Sequence, residues 1–323
     1  MRQLFLIALL SCQPAFASSP TLELPIRCTP GLDCFIQNYF DHDPGHGWVD
    51  YACGHLSYDG HTGTDFRLSG MEAMHQRVSV VAAANGVVVG LRDGEPDVSV
   101  MLRPGKPNYS KHAAGNAVRI NHGDGWETQY SHMLQGSVVV HVGQQVRAGD
   151  QLGMVGLSGN TAFPHLEFTV KHNYQSVDPF APSGNSTCAA GADSLWKPKA
   201  LDALGYIPTG ILLSGWTTEA PDWNKPRIGE YAALGTNAAA LVFWVEVFGV
   251  QTGDRQIFEM FDPQGERLLT NETTIPGNKS VWLGYAGKPR PPRGWAVGAY
   301  RAEYRLERKG VPVVTTVRHL EIH

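Results

Sequence analysis

Three short stretches of this chain each put a histidine or a carboxylate among glycines or at a strand end, residue types that can bind a metal ion. They are Asp59-Gly60-His61-Thr62-Gly63-Thr64-Asp65-Phe66, Gln129-Tyr130-Ser131-His132-Met133 and Gly159-Asn160-Thr161-Ala162-Phe163-Pro164-His165-Leu166-Glu167-Phe168. His165 and Glu167 stand two apart in an alternating segment, so on a strand both leave one face while Leu166 and Phe168 enter the core from the other. His61 and Asp65 stand four apart, but Gly63 and its flanking threonines argue against a helix between them. In an extended or bent strand that pair also shares a face. Imidazole nitrogen and carboxylate oxygen are suitable zinc ligands, at roughly 2.0–2.2 Å from the ion, so the chemistry this set points to is metal binding in a cleft. Taken singly, each signal has a blander reading. A histidine on a strand is more often a hydrogen-bonded structural residue than a ligand, and two polar groups on one face are often simply solvated. No Gly-x-Ser-x-Gly segment is present to support a serine hydrolase.

The elements that must position these residues read as strands. Val78–Val81 and Gly86–Gly90 are β-branched runs around Asn85-Gly86, a hairpin-type pair. Ala117–Ile120 runs into His122-Gly123-Asp124-Gly125, a strand followed by a tight turn. Val138–Val142, Gln151–Gly156 and His165–Val170 continue the series. Short strands with glycine punctuation and almost no helical periodicity predict an antiparallel β domain. Residues 181–200, rich in Pro, Gly, Ser and Ala, read as a linker or long loop. Beyond it, Ala240–Phe248, Ser280–Tyr285, Gly298–Leu306 and Val313–Ile322 look like further strands, with turns at Asp262–Glu266 and Lys309-Gly310. Strands at this spacing without helices predict a β-sandwich, Ig-like in class, with no cluster of chemistry-bearing residues. The expected layout is a signal peptide at 1–17, a first domain at 18–182, a linker at 183–204 and the sandwich at 205–323. Residues 18–50 read as a first strand or as a cover over the site.

A length of 323 residues suits two domains, and 42% hydrophobic against 17% charged residues is enough for ordinary cores. The net charge of −4 with no basic block gives nucleic acid no electrostatic footprint. No run of eighteen apolar residues exists to span a membrane. Met1-Arg2-Gln3, the apolar Leu4–Leu10 and Ala15-Phe16-Ala17 have the form of a secretory signal cut after Ala17, which implies a periplasmic or extracellular protein. Leu10-Ser11-Cys12 offers a second reading, lipid anchoring through Cys12. Cleavage leaves Cys28, Cys34, Cys53 and Cys188, an even number that suits two disulfides in an exported chain and disfavours a cysteine protease. Three connectivities are open. A Cys28–Cys34 bridge around a turn-like stretch is plausible, and would leave Cys53 for Cys188.

Taken together and in order, the three segments resemble the M23 family of zinc metallopeptidases, the lysostaphin or LytM type. The resemblance continues through Gly115–Gly123, Gly143–Asp150 and Val155–Gly159 and covers about residues 50–180. It implies an endopeptidase that cuts peptide cross-links or stems of peptidoglycan with one zinc in a groove across a β-sheet. It places His61 and Asp65 on the first two metal-ligand positions and His132 and His165 on catalytic positions. The third ligand position, a histidine in the family, is Glu167 here. Two imidazoles and one carboxylate leave a divalent ion with a net charge of about +1, whereas one imidazole and two carboxylates leave it near zero, which acidifies bound water less and weakens the preference for zinc over other divalent ions. The departure also admits a second reading: a silent module of the same fold that binds cell-wall peptide or regulates another hydrolase. His55, His112, His122 and His141 fall off the matching positions. His46 could line the groove, and Tyr130 and Asn116 fit groove or strand-support roles.

Overall fold

The computed structural model describes residues 19–103, 112–222 and 234–323. The expected signal peptide at 1–17 and the Cys12 anchoring site lie outside the described residues. The fold is all-β and antiparallel; among the described residues the α-helices are α1 (Met71–His75) and α2 (Pro198–Ala203). The first unit holds β1 (Cys34–Asn38), β2 (Thr64–Leu68), β3 (Ser79–Val81), β4 (Gly86–Arg92) and β5 (Asn116–Gly123). It continues with β6 (Trp126–Met133), β7 (Gln145–Val146), β8 (Gln151–Met154), β9 (His165–His172) and β10 (Gln175–Val177). Its main sheet runs β1-β2-β9-β6-β5-β4-β7, with β10 hairpinned onto β9, while β3 and β8 form a separate pair. Residues 34–38 are therefore the first strand of the sheet, at its edge.

Alternation sorts the side chains of β2 and β9 as expected. Phe66, Leu68, Leu166, Phe168 and Val170 are buried in a core shared with Val118, Ile120, Tyr130 and Trp196. Asp65, Arg67, His165 and Glu167 leave by the opposite face. The stretch read as a linker is not a loose tether: Leu195, Trp196, Ala200 and Leu204 are buried in the same core, because its apolar residues have a sheet face to cover. Two local readings are corrected. Asn85-Gly86 does not turn a hairpin, since β3 pairs with β8 and β4 with β5 and β7. Gly86 is there because a Cβ would meet Asn121 O and Ile120 Cγ2, each at 2.5 Å. Val138–Val142 is not a strand; Val139 and Val142 are exposed and only Val140 is buried. Disulfides join Cys28 to Cys34 and Cys53 to Cys188.

The second unit holds β11 (Gly210–Thr217), β12 (Ala240–Val250), β13 (Arg255–Phe261), β14 (Arg267–Thr274), β15 (Lys279–Pro289), β16 (Gly298–Arg308) and β17 (Val311–Ile322). Two antiparallel sheets, β11-β12-β15 and β14-β13-β16-β17, enclose a core that includes Phe243, Val245, Phe258, Met260 and Tyr304. The two units are packed together. Leu212 and Phe248 belong to the core of the first unit, and the rings of Phe35 and Phe248 are 5.6 Å apart. Gly249, at φ 67°, passes so close to the first unit that a Cβ there would lie 3.1 Å from Leu56 Cδ2.

Candidate metal centre

Three neighbouring strands build the site. In register, Asp65 of β2 lies opposite Glu167 of β9, which in turn lies opposite Ser131 of β6. His61 arrives on the loop before β2, which turns at Gly60 with φ 74°. Gly63 keeps that loop against β9, where a Cβ would stand 3.0 Å from Glu167 Cγ. His132 sits at the end of β6 with φ 63°, a left-handed conformation that costs a non-glycine residue of order 1–3 kcal/mol and persists only where surroundings hold it. Here its N–H donates to Ala114 O at 2.8 Å, and its carbonyl accepts from Gly156 N at 3.0 Å.

His61, Asp65 and Glu167 offer ligand atoms that all lie within 4.8 Å of one another. His61 Nε2 is 3.2 Å from Asp65 Oδ1 and 3.8 Å from Glu167 Oε1. Ligands bonded to one tetrahedral ion at about 2.0–2.2 Å stand roughly 3.4 Å from each other, so these separations suit a shared cation. Beyond their own 3.2 Å contact, His61 Nε2 and Asp65 Oδ1 are buried and form no hydrogen bond, a state that a shared cation would satisfy more fully. Their other atoms are fixed from behind. His61 Nδ1 donates to Tyr39 O at 2.8 Å, which turns the Nε2 lone pair into the site, and Asn38 Nδ2 donates to Asp65 Oδ2 at 2.7 Å. The donor set therefore fits a divalent metal.

The remaining two histidines face this cluster, with ring centroids 4.6 Å apart. One loop orients both: His132 Nδ1 is 2.8 Å from Ser158 O, and His165 Nδ1 is 3.0 Å from Phe163 O and 3.1 Å from Thr161 Oγ1. Each Nε2 then points at a carboxylate, His132 at Glu167 Oε2 (3.5 Å) and His165 at Asp65 Oδ1 (3.6 Å). The charges pull protonation apart. Burial depresses His61, but the Asp65 carboxylate outweighs it and pushes the imidazole up to about 9. Burial raises Asp65, yet the adjacent His61 and His165 hold it well below the carboxylate range. Burial also lowers His132 and raises Glu167, and their mutual contact reverses both shifts. His165 is pushed down to about 4 by burial, aided by His132 and opposed by Asp65. A basic and a neutral imidazole beside two carboxylates can bind a cation and pass protons.

All five site residues singled out in the sequence thus meet at one place. The other histidines do not join them. His122 bonds Asn85 O and Thr128 Oγ1, His112 pairs with Glu95, His55 and His141 are exposed, and His46 pairs with Asp59 at 3.5 Å on the surface. Tyr130 and Asn116 are fully buried supports: Tyr130 Oη accepts from Ala83 N, and Asn116 ties residues 94–95 to Met133. Sequence reading did not assign Asn38, Tyr39 or Tyr58, whose ring lies 4.5 Å from that of His61. Ser158, Thr161 and Phe163 sat inside the quoted segments, but their role is carried by backbone carbonyls and rotamers that no residue type announces.

The family model for Peptidase family M23 matches residues 59–179, which contain His61, Asp65, His132, His165 and Glu167. Among curated proteins, the chain is 44% identical over 71 residues to the cell division protein DipM of Caulobacter vibrioides, covering 20% of this chain and 11% of that protein. It is 31% identical over 147 residues to the DD-carboxypeptidase/endopeptidase Mpg of Neisseria meningitidis, covering 45% of this chain and 28% of that protein. The matched part thus spans less than a third of the length of either relative. Among solved structures, a variant of the catalytic domain of the prophage-encoded M23 protein EnpA from Enterococcus faecalis aligns with TM-score 0.33 and 21% identity, covering 51% of this chain and 98% of that one.

Proposed function

With residues 59–179 belonging to peptidase family M23, we propose that this chain is an exported, metal-dependent endopeptidase that hydrolyses peptide bonds in the cross-links or stems of peptidoglycan. The observation that carries this reading is the convergence of two buried ligand atoms that face each other, His61 Nε2 and Asp65 Oδ1, with Glu167 and two further imidazoles. His61, Asp65 and Glu167 would hold the metal, zinc in this reading. When bound, zinc supplies Lewis acidity to the scissile carbonyl and to the attacking water. The protein's own groups supply the rest. His165, neutral and with Nδ1–H tied to Phe163 O, offers Nε2 as a proton acceptor for water. His132, whose charged form the Glu167 carboxylate favours against burial, is placed to steady the developing oxyanion or to protonate the leaving amine. Two disulfides support an oxidising destination, periplasmic or extracellular.

One observation favours a second reading. The carboxylate of Glu167 where the family has an imidazole reduces the charge on the bound ion, and a silent module that binds cell-wall peptide or regulates another hydrolase is the outcome if that reduction is too great. Metal analysis of the purified chain and incubation with cross-linked muropeptides separate the two. Near-stoichiometric metal, with cleavage that a chelator removes and zinc restores, is the expected result. Metal-free protein that binds muropeptides without cutting them would replace the first reading with the second.

A further inference from the structure

The site face carries one more buried charge, and its partner lies in the other unit. Arg67 follows Asp65 by two residues on β2, so it leaves the same face, and its register partner on β9 is His165. Its guanidinium lies 4.3 Å over the ring of Phe163, donates to Gln37 of β1, and donates to Glu246 Oε1 of β12 at 3.2 Å. Arg67 and Glu246 are 5% and 2% exposed, so both charges are effectively dry. Phe163 in turn touches His165 twice: its ring is 4.8 Å from the imidazole and its carbonyl takes the Nδ1 proton.

Attachment of the two units does not require this pair. Phe248, Leu212 and the close passage of Gly249 already join them through apolar contact. A buried ion pair adds little net stability over an apolar pair of similar volume. What arginine adds is direction, because its rigid planar fork engages several partners at fixed angles. We infer that Arg67 and Glu246 are positioning residues, which hold Phe163 and through it the imidazole of His165, so that the second unit is a working part of the candidate site. The inference rests on the hydrolase reading of His165, and its test includes a measurement that needs no turnover.

The test uses the full chain with Glu246→Gln, Arg67→Met, and the double variant Arg67→Met with Glu246→Leu, which removes both charges together. Kinetics on cross-linked muropeptides should show kcat falling on the order of 10- to 100-fold, with KM within about two-fold of the parent. The double variant should regain the parent's melting temperature yet remain slow. Independently, the His165 Nδ1–H proton resonance, identified by its loss in His165→Gln, should shift or broaden in all three variants. A double variant with parental kcat and an unmoved resonance would overturn the inference and leave the pair as a domain contact. If the parent itself cuts nothing, the hydrolase reading fails, and the resonance alone decides: unmoved, it sinks the positioning role; shifted, it sustains it.

Discussion

At His61 a proton and a metal ion compete for one nitrogen. The Asp65 carboxylate raises this imidazole to about 9 in the metal-free protein, so the proton is held at neutral pH and must leave when metal binds. A raised histidine stabilises the metal-free fold fully below its unfolded value near 6.5, and that contribution is lost as pH rises through 9. Metal affinity runs the other way. It should climb by about a decade per pH unit from 7 to 9 and then level off, and calorimetry in buffers of different ionisation enthalpy should count at least one proton released at pH 7. A flat affinity profile would mean that His61 is not a ligand. The acid/base placement of His165 is tested by His165→Ala, which should keep its metal content while hydrolysis drops on the order of 10²- to 10⁴-fold; loss of metal would make His165 a ligand. Glu167→His should preserve or raise cleavage and tighten zinc binding. A large fall would show a groove rebuilt around the carboxylate and its contact to His132.

Strand geometry decides which parts of the site the sequence discloses. The i, i+2 relation of His165 and Glu167, with Leu166 and Phe168 turned inward, was legible because a strand has only two faces. That β9 would lie between β2 and β6, bringing Asp65 and Ser131 to either side of Glu167, depends on long-range pairing that periodicity does not encode. The same limit explains the misread Asn85-Gly86. A glycine needed for a turn and one needed for close approach of a neighbouring strand look alike in sequence, and only the position of Ile120 and Asn121 distinguishes them. Gly86→Ala should therefore force β4 away from β5 and cost about 1–3 kcal/mol. Thermal melting should fall while bound metal is unchanged, since neither strand carries a ligand. Val138–Val142 reads as a strand for a related reason: β-branched composition describes a half-buried pleated surface, and here Val138 and Val140 reach the core while Val139 and Val142 are exposed without strand pairing.

For the whole molecule, the contacts between the units predict shared stability. Deleting residues 205–323 would uncover Phe35, remove Phe248 from the first core and take from Arg67 its carboxylate partner. Removing one member of a buried charge pair typically costs about 3–5 kcal/mol. The truncated chain should melt well below the full one, and the full chain should unfold in a single transition. Two separate transitions, with the first unit melting as it does alone, would show that the packing between the units is incidental.

The Cys53–Cys188 bridge links positions 135 residues apart, and His61, Asp65, His132, His165 and Glu167 all fall between them. Every reactive group therefore belongs to one covalent ring. In a reducing interior that ring is open, and the segments that must meet are joined only by a long, unconstrained strand of polymer. Oxidation fastens the ring and removes much of the freedom the unfolded chain would otherwise enjoy. The polypeptide is thus at its least organised while those sulfur atoms are apart and at its most organised once they are joined, which ties the competence of the site to the oxidised state of the chain.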